Sequence, residues 1–293
     1  MTLTSAPLNR DPDVTSHWHR RMFGRPGRLF EPLLILAGLL AILFALVYPM
    51  VFILLGSFKT QGGLLASATA FTWANYITLF TGGFGRFLVN SLVICVAATA
   101  LSTLVSVNAA YVFSRFRFRG KGLIFGSVLF GQMFPWIVLV NPLFILLTQA
   151  GFTNSYTGMI FCYTAISIPF SVYMSTGYLA TVPRELDEAA LIDGASRYQV
   201  VWRIVFPVLM PGIVSTATYA FMLCWTEYLF ALAFLTKPAV QTLPIGLYQL
   251  FGDDRADWGA VMAASVVTTI PTLLLFLPLQ ARLSSGLTAG AVK

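Results

Sequence analysis

The chain has 293 residues, of which 57% are hydrophobic and only 10% are charged, and its formal net charge is +7. Soluble globular domains carry about 25% charged residues, so this composition excludes a soluble enzyme, a disordered protein and a secreted disulfide scaffold. The basic residues stand in separate short segments between apolar runs, which argues against a nucleic-acid partner. We therefore expect most of the surface to face lipid or protein.

Six apolar runs are long enough to cross a bilayer, which takes about 20 residues. In chain order they are Leu33–Leu55, Phe87–Phe113, Leu123–Leu147, Tyr156–Leu179, Gly212–Leu235 and Trp258–Leu279. The sequence thus predicts an all-α integral membrane protein with six transmembrane helices, preceded by an N-terminal tail over residues 1–30.

The basic residues in the connections indicate the orientation. Fourteen of the 18 lysines and arginines lie before span one, between spans two and three, between spans four and five, or after span six. Positive charge accumulates on the cytoplasmic side of membrane proteins, and six spans bring both ends to one side. We expect both termini in the cytoplasm, with the tail of residues 1–30 held by anionic membrane lipid.

Small residues recur along one helical face in two of the spans, together with one acid. On spans two and five respectively, these faces carry Ser91, Cys95, Ala98, Ser102 and Ala109, and Thr216, Ala220, Cys224, Glu227 and Ala231. Small side chains let helix backbones approach closely in lipid. A packing seam and a translocation path along the same face both fit this pattern.

Neither a metal centre nor a nucleotide site is indicated by the sequence. The three cysteines lie inside apolar runs without metal-binding spacing, and the two histidines, His17 and His19, lie in the N-terminal tail. No phosphate-binding loop of the Walker type occurs. We expect no catalytic residue, no metal and no cofactor on this chain.

The connection between spans four and five, residues 180–211, is long and dense in charge. It begins with helix-start residues and with acids that favour a helix N-terminus, namely Thr181, Pro183, Glu185, Asp187 and Glu188. Gly194 then allows a left-handed bend, and Ser196 caps a second helix that runs to Val205 and is stopped by Pro207 and Pro211. The sequence predicts a hairpin of two short helices outside the membrane.

The first helix of this hairpin is expected to have two faces. Acids lie on one face, and Leu186, Ala189, Ala190 and Ile192 lie on the other. Such a helix fits a groove on another protein, or a lid packed on its own chain or on lipid headgroups. Periodicity leaves both interpretations open.

A pattern in this hairpin resembles the EAA loop of ABC importer permeases: Glu188-Ala189-Ala190, Gly194, Ile204 and Phe206-Pro207. Segments 114–121, 132–135, 141–144, 225–232 and 286–293 look like the same family. The chain as a whole resembles the carbohydrate, maltose permease G-like, branch of these permeases. It departs from the family pattern at Phe206, where Leu is usual, and at Thr226, where Asn is common.

The resemblance implies a fold, a function and partners. The fold would be that of a type I ABC importer permease, with a six-span domain at 31–293, its core at about 85–282 and a cytoplasmic coupling hairpin at 181–207. The function would be sugar import, of a di- or oligosaccharide, by alternating access across the bacterial inner membrane. The partners would be a second homologous permease, a dimer of ATP-binding subunits that hold ATP and magnesium, and an extracytoplasmic sugar-binding protein.

The resemblance also implies roles for individual residues. Coupling to the ATPase would rest on Glu188, Ala189, Ala190, Asp193, Gly194, Ala195, Ile204 and Pro207. A C-terminal tail in contact with the ATPases would include Gly286, Thr288, Gly290 and Lys293. The sugar site would lie mainly on the partner permease.

Glu227 is the one acidic residue deep inside a predicted span, where a carboxylate is expensive and normally faces protein or water. It can hydrogen-bond neighbouring helices, line a sugar path or carry protons. A substrate path here would include Trp225, Tyr228 and Tyr219, whose rings can stack on a sugar, and Asn141. The alternative function, an ion-coupled secondary transporter, is expected to show several such ionisable groups.

Overall fold

The computed structural model describes residues 30–59, 71–252 and 257–290, without the side chains at 30, 31 and 278–290. Every regular element in these ranges is helical, which confirms the predicted all-α fold. The helices are α1 (Phe30–Gly56), α2 (Ala74–Thr81), α3 (Phe84–Arg115), α4 (Lys121–Phe130), α5 (Trp136–Gln149), α6 (Tyr156–Ala180), α7 (Glu185–Ile192), α8 (Arg197–Val208), α9 (Met210–Thr226), α10 (Leu229–Phe234), α11 (Leu243–Phe251) and α12 (Trp258–Gly290).

Four of these helices are each long and apolar enough to cross a membrane: α1, α3, α6 and the first twenty residues of α12. Two further candidates are bent pairs. One joins α4, extended by a 3-10 turn at Gly131–Met133, to α5 at 102°, and the other joins α8 to α9 at 81°. The described chain therefore has six candidate spans if each bent pair counts as one.

The third and fifth predicted spans are not the continuous helices that hydropathy indicated. The run from Leu123 to Leu147 bends at Pro135, whose ψ of 123° leaves the helical path just before α5 begins. In the fifth, helix α9 ends at Thr226 and the chain resumes its helical path as the short α10. Both interruptions lie within apolar sequence, so a hydropathy window does not register them.

The small residues of α3 form a packing seam against α6 and α9. Of the five residues predicted for this face of span two, four are buried and Ala109 is half-buried, and all five residues predicted for span five are buried. Large side chains fill the space around the seam and are fully buried, among them Ile94, Met159, Tyr163 and Phe230. The packing interpretation of these faces is therefore the one that the geometry supports.

Helix α1 as far as Phe52 belongs to one compact unit, and the chain from Ile53 onward belongs to a second. Within the second unit, an apolar cluster separate from the seam joins the end of α3, the end of α6 and the following hairpin. Its buried members are Val107, Tyr111, Leu179, Val182, Ala190, Val200, Val201, Val205, Leu209 and Ile213. Through this cluster the hairpin packs against the ends of helices α3 and α6.

Candidate functional site

The hairpin between α6 and α9 turns sharply at Gly194. The Ala195 N–H donates to the Ala190 carbonyl at 3.0 Å, and the Gly194 N–H donates to the Leu191 carbonyl at 3.1 Å. These two bonds form a Schellman motif, which satisfies carbonyls at the end of α7. Gly194 has φ +84°, a left-handed conformation that costs other residues about 1–2 kcal/mol. The predicted glycine bend is confirmed.

Ser196 starts the second helix with a capping box. Its hydroxyl accepts from the Gln199 N–H at 3.3 Å, and its own N–H donates to the Gln199 side chain at 2.7 Å. The helix widens into a π-helical stretch at Val200–Val205 and continues to Val208, beyond the predicted end. Pro207 lies in the first turn after this stretch, where its missing N–H is tolerated. The helix thus passes Pro207 and ends three residues beyond the predicted Val205, just before Pro211 at the start of α9.

A buried ion pair fastens the hairpin to helix α3. The Arg115 guanidinium donates from Nε to Asp187 Oδ2 at 2.7 Å and from a terminal nitrogen to the Val182 carbonyl at 3.0 Å. The two charged side chains are only 7% and 8% exposed. Because burial lowers the local dielectric, a well-aligned pair of this kind strongly fixes the relative position of its two helices.

Two more cations reinforce the attachment. A terminal nitrogen of Arg184 donates to the Ser114 carbonyl at 2.8 Å. The Arg197 guanidinium lies 5.0 Å from the centre of the Phe116 ring, within the range of a cation–π contact. The last two residues of α3 and the residue that follows it thus contact the residue before α7, helix α7 and the first residue of α8, so these parts form one contiguous unit.

Helix α7 keeps two of its three acids exposed, as expected, but buries the third, and three of the four residues on its predicted apolar face are exposed. Asp187 and Ala190 are buried, whereas Leu186 is 42% exposed and Ile192 is 86% exposed. Asp187 can lie inside because Arg115 meets it there, which periodicity could not reveal. With Tyr198 of α8 at 72% exposure, large apolar side chains stand out on the free side of the bend. We call Ile192 and Tyr198 the exposed tip.

All eight residues predicted to couple to an ATPase lie within the hairpin. Glu188, Ala189, Asp193, Gly194 and Pro207 are exposed, Ala195 and Ile204 are half-buried, and Ala190 is buried. The structure thus brings them onto one folded unit and leaves most of them accessible. Sequence reasoning missed Arg115 and Asp187 as the pair that holds this unit, because 72 residues separate them.

Glu227 lies at the break between α9 and α10 and is 4% exposed. Its carboxylate accepts from the Phe230 N–H at 2.8 Å, the Ala231 N–H at 3.2 Å and the Tyr163 hydroxyl at 3.0 Å. The first two contacts satisfy backbone donors at the start of α10, and the third ties the break to α6. Hydrogen bonding to neighbouring helices is therefore the one of the three predicted roles with direct geometric support.

The aromatic residues predicted to line a substrate path have separate surroundings. Trp225 is 3% exposed and donates from its ring nitrogen to the Thr268 carbonyl at 3.2 Å. Tyr219 packs on Phe170 with ring centres 4.0 Å apart, and Tyr228 packs on a tyrosine of α11. Asn141 is exposed. Tyr219 and Tyr228, both half-buried, keep accessible ring surface, whereas Trp225 serves helix packing in this conformation.

The two chain ends are described only in part. The backbone of α12 is helical as far as Gly290, so Gly286, Thr288 and Gly290 belong to this helix. Lys293 and residues 1–29 lie outside the described residues.

Comparison with known proteins decides the family. The protein-family profile described as "Binding-protein-dependent transport system inner membrane component" matches residues 102–289. The chain belongs to this family. The trehalose/maltose transport system permease protein MalG of Thermococcus litoralis is 36% identical over 272 residues, which cover 90% of this chain and 98% of that relative.

Other transport system permeases show similar agreement. The sulfoquinovosyl glycerol transport system permease protein SmoH of Agrobacterium fabrum is 34% identical over 253 residues, which cover 84% of this chain and 89% of that relative. A chain of a bacterial ABC transporter involved in alginate import matches with a TM-score of 0.77 and covers 89% of this chain and 98% of that chain, at 19% identity. The first match supports family membership, and the second shows that the fold is that of an ABC importer permease.

The family match locates the shared part of this inner membrane component. It begins within α3, before Arg115, and ends in α12, so it contains the hairpin, the Arg115–Asp187 pair and Glu227. Members of this family are transport components rather than enzymes. The hairpin and the break at Glu227 therefore belong to transport machinery.

Proposed function

We propose that this chain is the membrane permease subunit of an ATP-driven importer for a sugar, and that residues 181–207 couple ATPase closure to alternating access. The observation that carries the proposal is the attachment of the hairpin to α3 through Arg115 and Asp187. A coupling element has to move as one body with the helices it drives. The hairpin meets that requirement because its bend is capped, and because a buried ion pair and a buried apolar cluster attach it to the membrane helices.

The exposed tip supports a protein partner on the free side of the hairpin. Ile192 and Tyr198 expose large side chains on both sides of the bend, and apolar surface rimmed by polar residues is typical of a protein interface. Nearby Glu188 and Asp193, both exposed, offer carboxylates to basic or donor groups. We propose that an ATP-binding subunit covers this surface, and that ATP and magnesium are bound entirely by a dimer of such subunits.

The distribution of basic residues supports an orientation with both termini in the cytoplasm. The hairpin then projects into the cytoplasm, on the side where ATP is available. We propose a second, homologous permease beside this chain and a sugar-binding protein on the opposite face. The C-terminal end, with Gly286, Thr288, Gly290 and Lys293, would contact the ATPases from the cytoplasmic side.

The names of the two permease relatives support a sugar or glycoside as the substrate class. They refer to trehalose and maltose in one case and to sulfoquinovosyl glycerol in the other. We propose a di- or oligosaccharide for this chain, with Tyr219, Tyr228 and Asn141 as its accessible candidate contacts. Glu227 and Trp225 would support that path by holding the helices in place.

Transport in proteoliposomes tests the proposal. The chain, its partner permease and the ATPase subunits are reconstituted with the binding protein, and uptake of labelled sugar is measured with and without ATP. Uptake that requires ATP hydrolysis supports the proposal. Uptake driven by an ion gradient in the absence of ATP would establish the alternative, an ion-coupled secondary transporter.

A pair of glycine variants tests the hairpin separately. Gly194→Asp should insert normally but recover less ATPase on co-purification and lose ATP-driven uptake. Gly151→Asp is the matched control, because Gly151 also has a positive φ, of +73°, but lies between α5 and α6, away from the hairpin. Equal ATPase recovery with both variants would refute the coupling role of the bend.

A further inference from the structure

Two adjoining cavities lie between the end of α3, helix α4 and helix α6. The first has a volume of about 710 Å³ and is lined by the last residues of α3, the first turn of α4 and the start of the hairpin. The second has a volume of about 630 Å³ and runs between α4 and the last part of α6. Phe125, Thr176 and Ala180 line both cavities, so the two spaces adjoin.

The first cavity carries an excess of positive charge. Arg115, Lys121 and Arg184 line it, with Glu185 as the one acid. Arg115 is neutralised by its buried ion pair, whereas neither Lys121 nor Arg184 forms an ion pair with any described residue. The first turn of α4, at Gly122, also lines the cavity, and the positive end of a helix dipole adds to the attraction for an anion.

Both free cations keep donors available for a ligand. Lys121 makes one long contact, 3.4 Å, to the Phe116 carbonyl, and Arg184 uses one terminal nitrogen on the Ser114 carbonyl. An ammonium has three donors and a guanidinium has five. The remaining N–H groups of both side chains suffice to bind the oxygens of a phosphate group.

The second cavity has the opposite character. Its wall is made mainly by aromatic, aliphatic and backbone surface: Phe125, Tyr173, Met174, Gly177, Tyr178 and Ala180. It lies beside α6, which is long and apolar enough to cross a membrane. A basic pocket that continues into an apolar groove along a membrane helix has the polarity of a phospholipid, with an anionic head and a hydrocarbon chain.

We propose that the two cavities together bind one anionic phospholipid, with its phosphate against Lys121 and Arg184 and an acyl chain along Phe125 and α6. Basic pockets between transmembrane helices are suited to anionic headgroups. Arg184 and Glu185 begin the hairpin, so the bound lipid would hold the base of the hairpin at the membrane surface. The binding itself is independent of the proposed sugar, ATPase and coupling role.

Native mass spectrometry of the full-length chain in a neutral detergent tests the site. Phosphatidylglycerol and phosphatidylcholine with identical acyl chains are titrated, and single-lipid adducts are counted. We expect a clear preference for phosphatidylglycerol. The double variant Lys121→Gln/Arg184→Gln should weaken phosphatidylglycerol binding about 30-fold, since each basic group near a lipid surface contributes about a fivefold factor.

Two further variants separate charge from packing. Arg119→Gln/Arg203→Gln removes two exposed cations that line neither cavity and should bind phosphatidylglycerol as the wild type does. Gly177→Leu should weaken binding about tenfold by filling the apolar groove. A β-carbon at Gly177 meets nothing within 4 Å, the rest of the leucine side chain extends into the open groove, and leucine favours helix, so this variant should fold.

Three results would overturn the lipid site. They are equal binding of the two lipids, equal effects of the two charge-removing double variants, and displacement of phosphatidylglycerol by millimolar inorganic phosphate. The last would indicate a site for a soluble anion instead. Thermal unfolding of each variant shows that a loss of binding does not arise from a loss of fold.

Discussion

Two buried acids in the described chain are held by different kinds of donor. Asp187 is met by a guanidinium, and Glu227 is met by two backbone N–H groups and a tyrosine hydroxyl. A buried carboxylate is costly unless such partners surround it. Both acids therefore fix local geometry: Asp187 positions the hairpin, and Glu227 closes the gap between two helix segments.

Removing Asp187 should leave Arg115 charged and buried without its counterion. We expect Asp187→Ala to lower the free energy of unfolding by about 3–5 kcal/mol, the cost of breaking a buried pair. Glu188→Ala, at the exposed neighbouring position, should change it by less than about 0.5 kcal/mol. Thermal unfolding in detergent measures both, and similar losses for the two variants would contradict the ion-pair assignment.

Substitution of Glu227 separates a structural role from proton transfer. Glu227→Ala leaves two backbone donors of α10 unsatisfied and should cost about 1–3 kcal/mol. Glu227→Gln keeps one acceptor oxygen but turns its amide NH2 toward the donors that face the other oxygen, so it should lose less stability than Glu227→Ala and should retain transport in proteoliposomes. Thr226→Ala, at the exposed neighbouring position, is the control. Loss of transport in a stable Glu227→Gln protein would instead support a proton-carrying carboxylate.

Residue-level sequence reasoning found Glu227 but not Asp187. Glu227 stood out because it is the one acid within a predicted apolar span. Asp187 is one of four acids in a charged loop, and its partner lies 72 residues away. A periodic sequence pattern predicts that acids face the solvent. Only the folded structure shows which acid lies beside a buried cation.

At the scale of elements, the ends of α6 and α9 approach closely at Gly212. A β-carbon at Gly212 would lie 2.5 Å from Cγ and 2.8 Å from Cβ of Tyr178. These atoms stand near the backbone of α6, so a simple rotation of the tyrosine ring does not remove the clash. The approach sets where the bent α8–α9 pair meets the end of α6.

Gly212→Ala should therefore force the two helices apart. We expect a loss of about 1–3 kcal/mol in unfolding free energy, as for other overpacked sites. Gly177→Ala on α6 is the matched control, because its added methyl group meets nothing within 4 Å. That control should be neutral or more stable by up to about 1 kcal/mol. Equal stability of the two variants, measured by thermal unfolding, would rule out the close approach.

The sequence predicts the straight elements better than the bent ones. Helices α3 and α6 extend only a few residues beyond their predicted limits, because hydrophobic length reports a span directly. Hydrophobic length does not predict the directions of the bent segments. Pro135 lacks the N–H that would continue a helix and so permits a bend, but the 102° angle depends on packing that a hydropathy profile does not contain.

For the whole molecule, the transmembrane topology depends on whether the bent pair α4–α5 crosses the membrane. If it crosses as one span, its two ends lie on opposite sides. We expect Arg119→Cys to react with a membrane-impermeant maleimide from the cytoplasmic side and Gln149→Cys from the other side. Both positions are exposed, and the three native cysteines are buried.

Sealed vesicles of both orientations provide the measurement and its control. The labelling of each introduced cysteine is compared with its labelling after permeabilisation, which gives the total accessible thiol. Labelling of both positions from one side would mean that α4 and α5 form a re-entrant loop. The count of spans would then fall to five, and the orientation of everything after α5 would have to be reversed.

The separation of Arg115 from Asp187 also bears on how the protein is made. A ribosome adds about 5–20 residues per second, so roughly 4–14 s pass between the synthesis of the arginine and that of its counterion, 72 residues later. During this interval α4, α5 and α6 emerge while the guanidinium has no partner. An unpaired cation resists translocation and so anchors the end of α3 on its own side. We therefore expect Arg115, which forms the ion pair with the finished hairpin, to act first as a retention signal for the nascent chain.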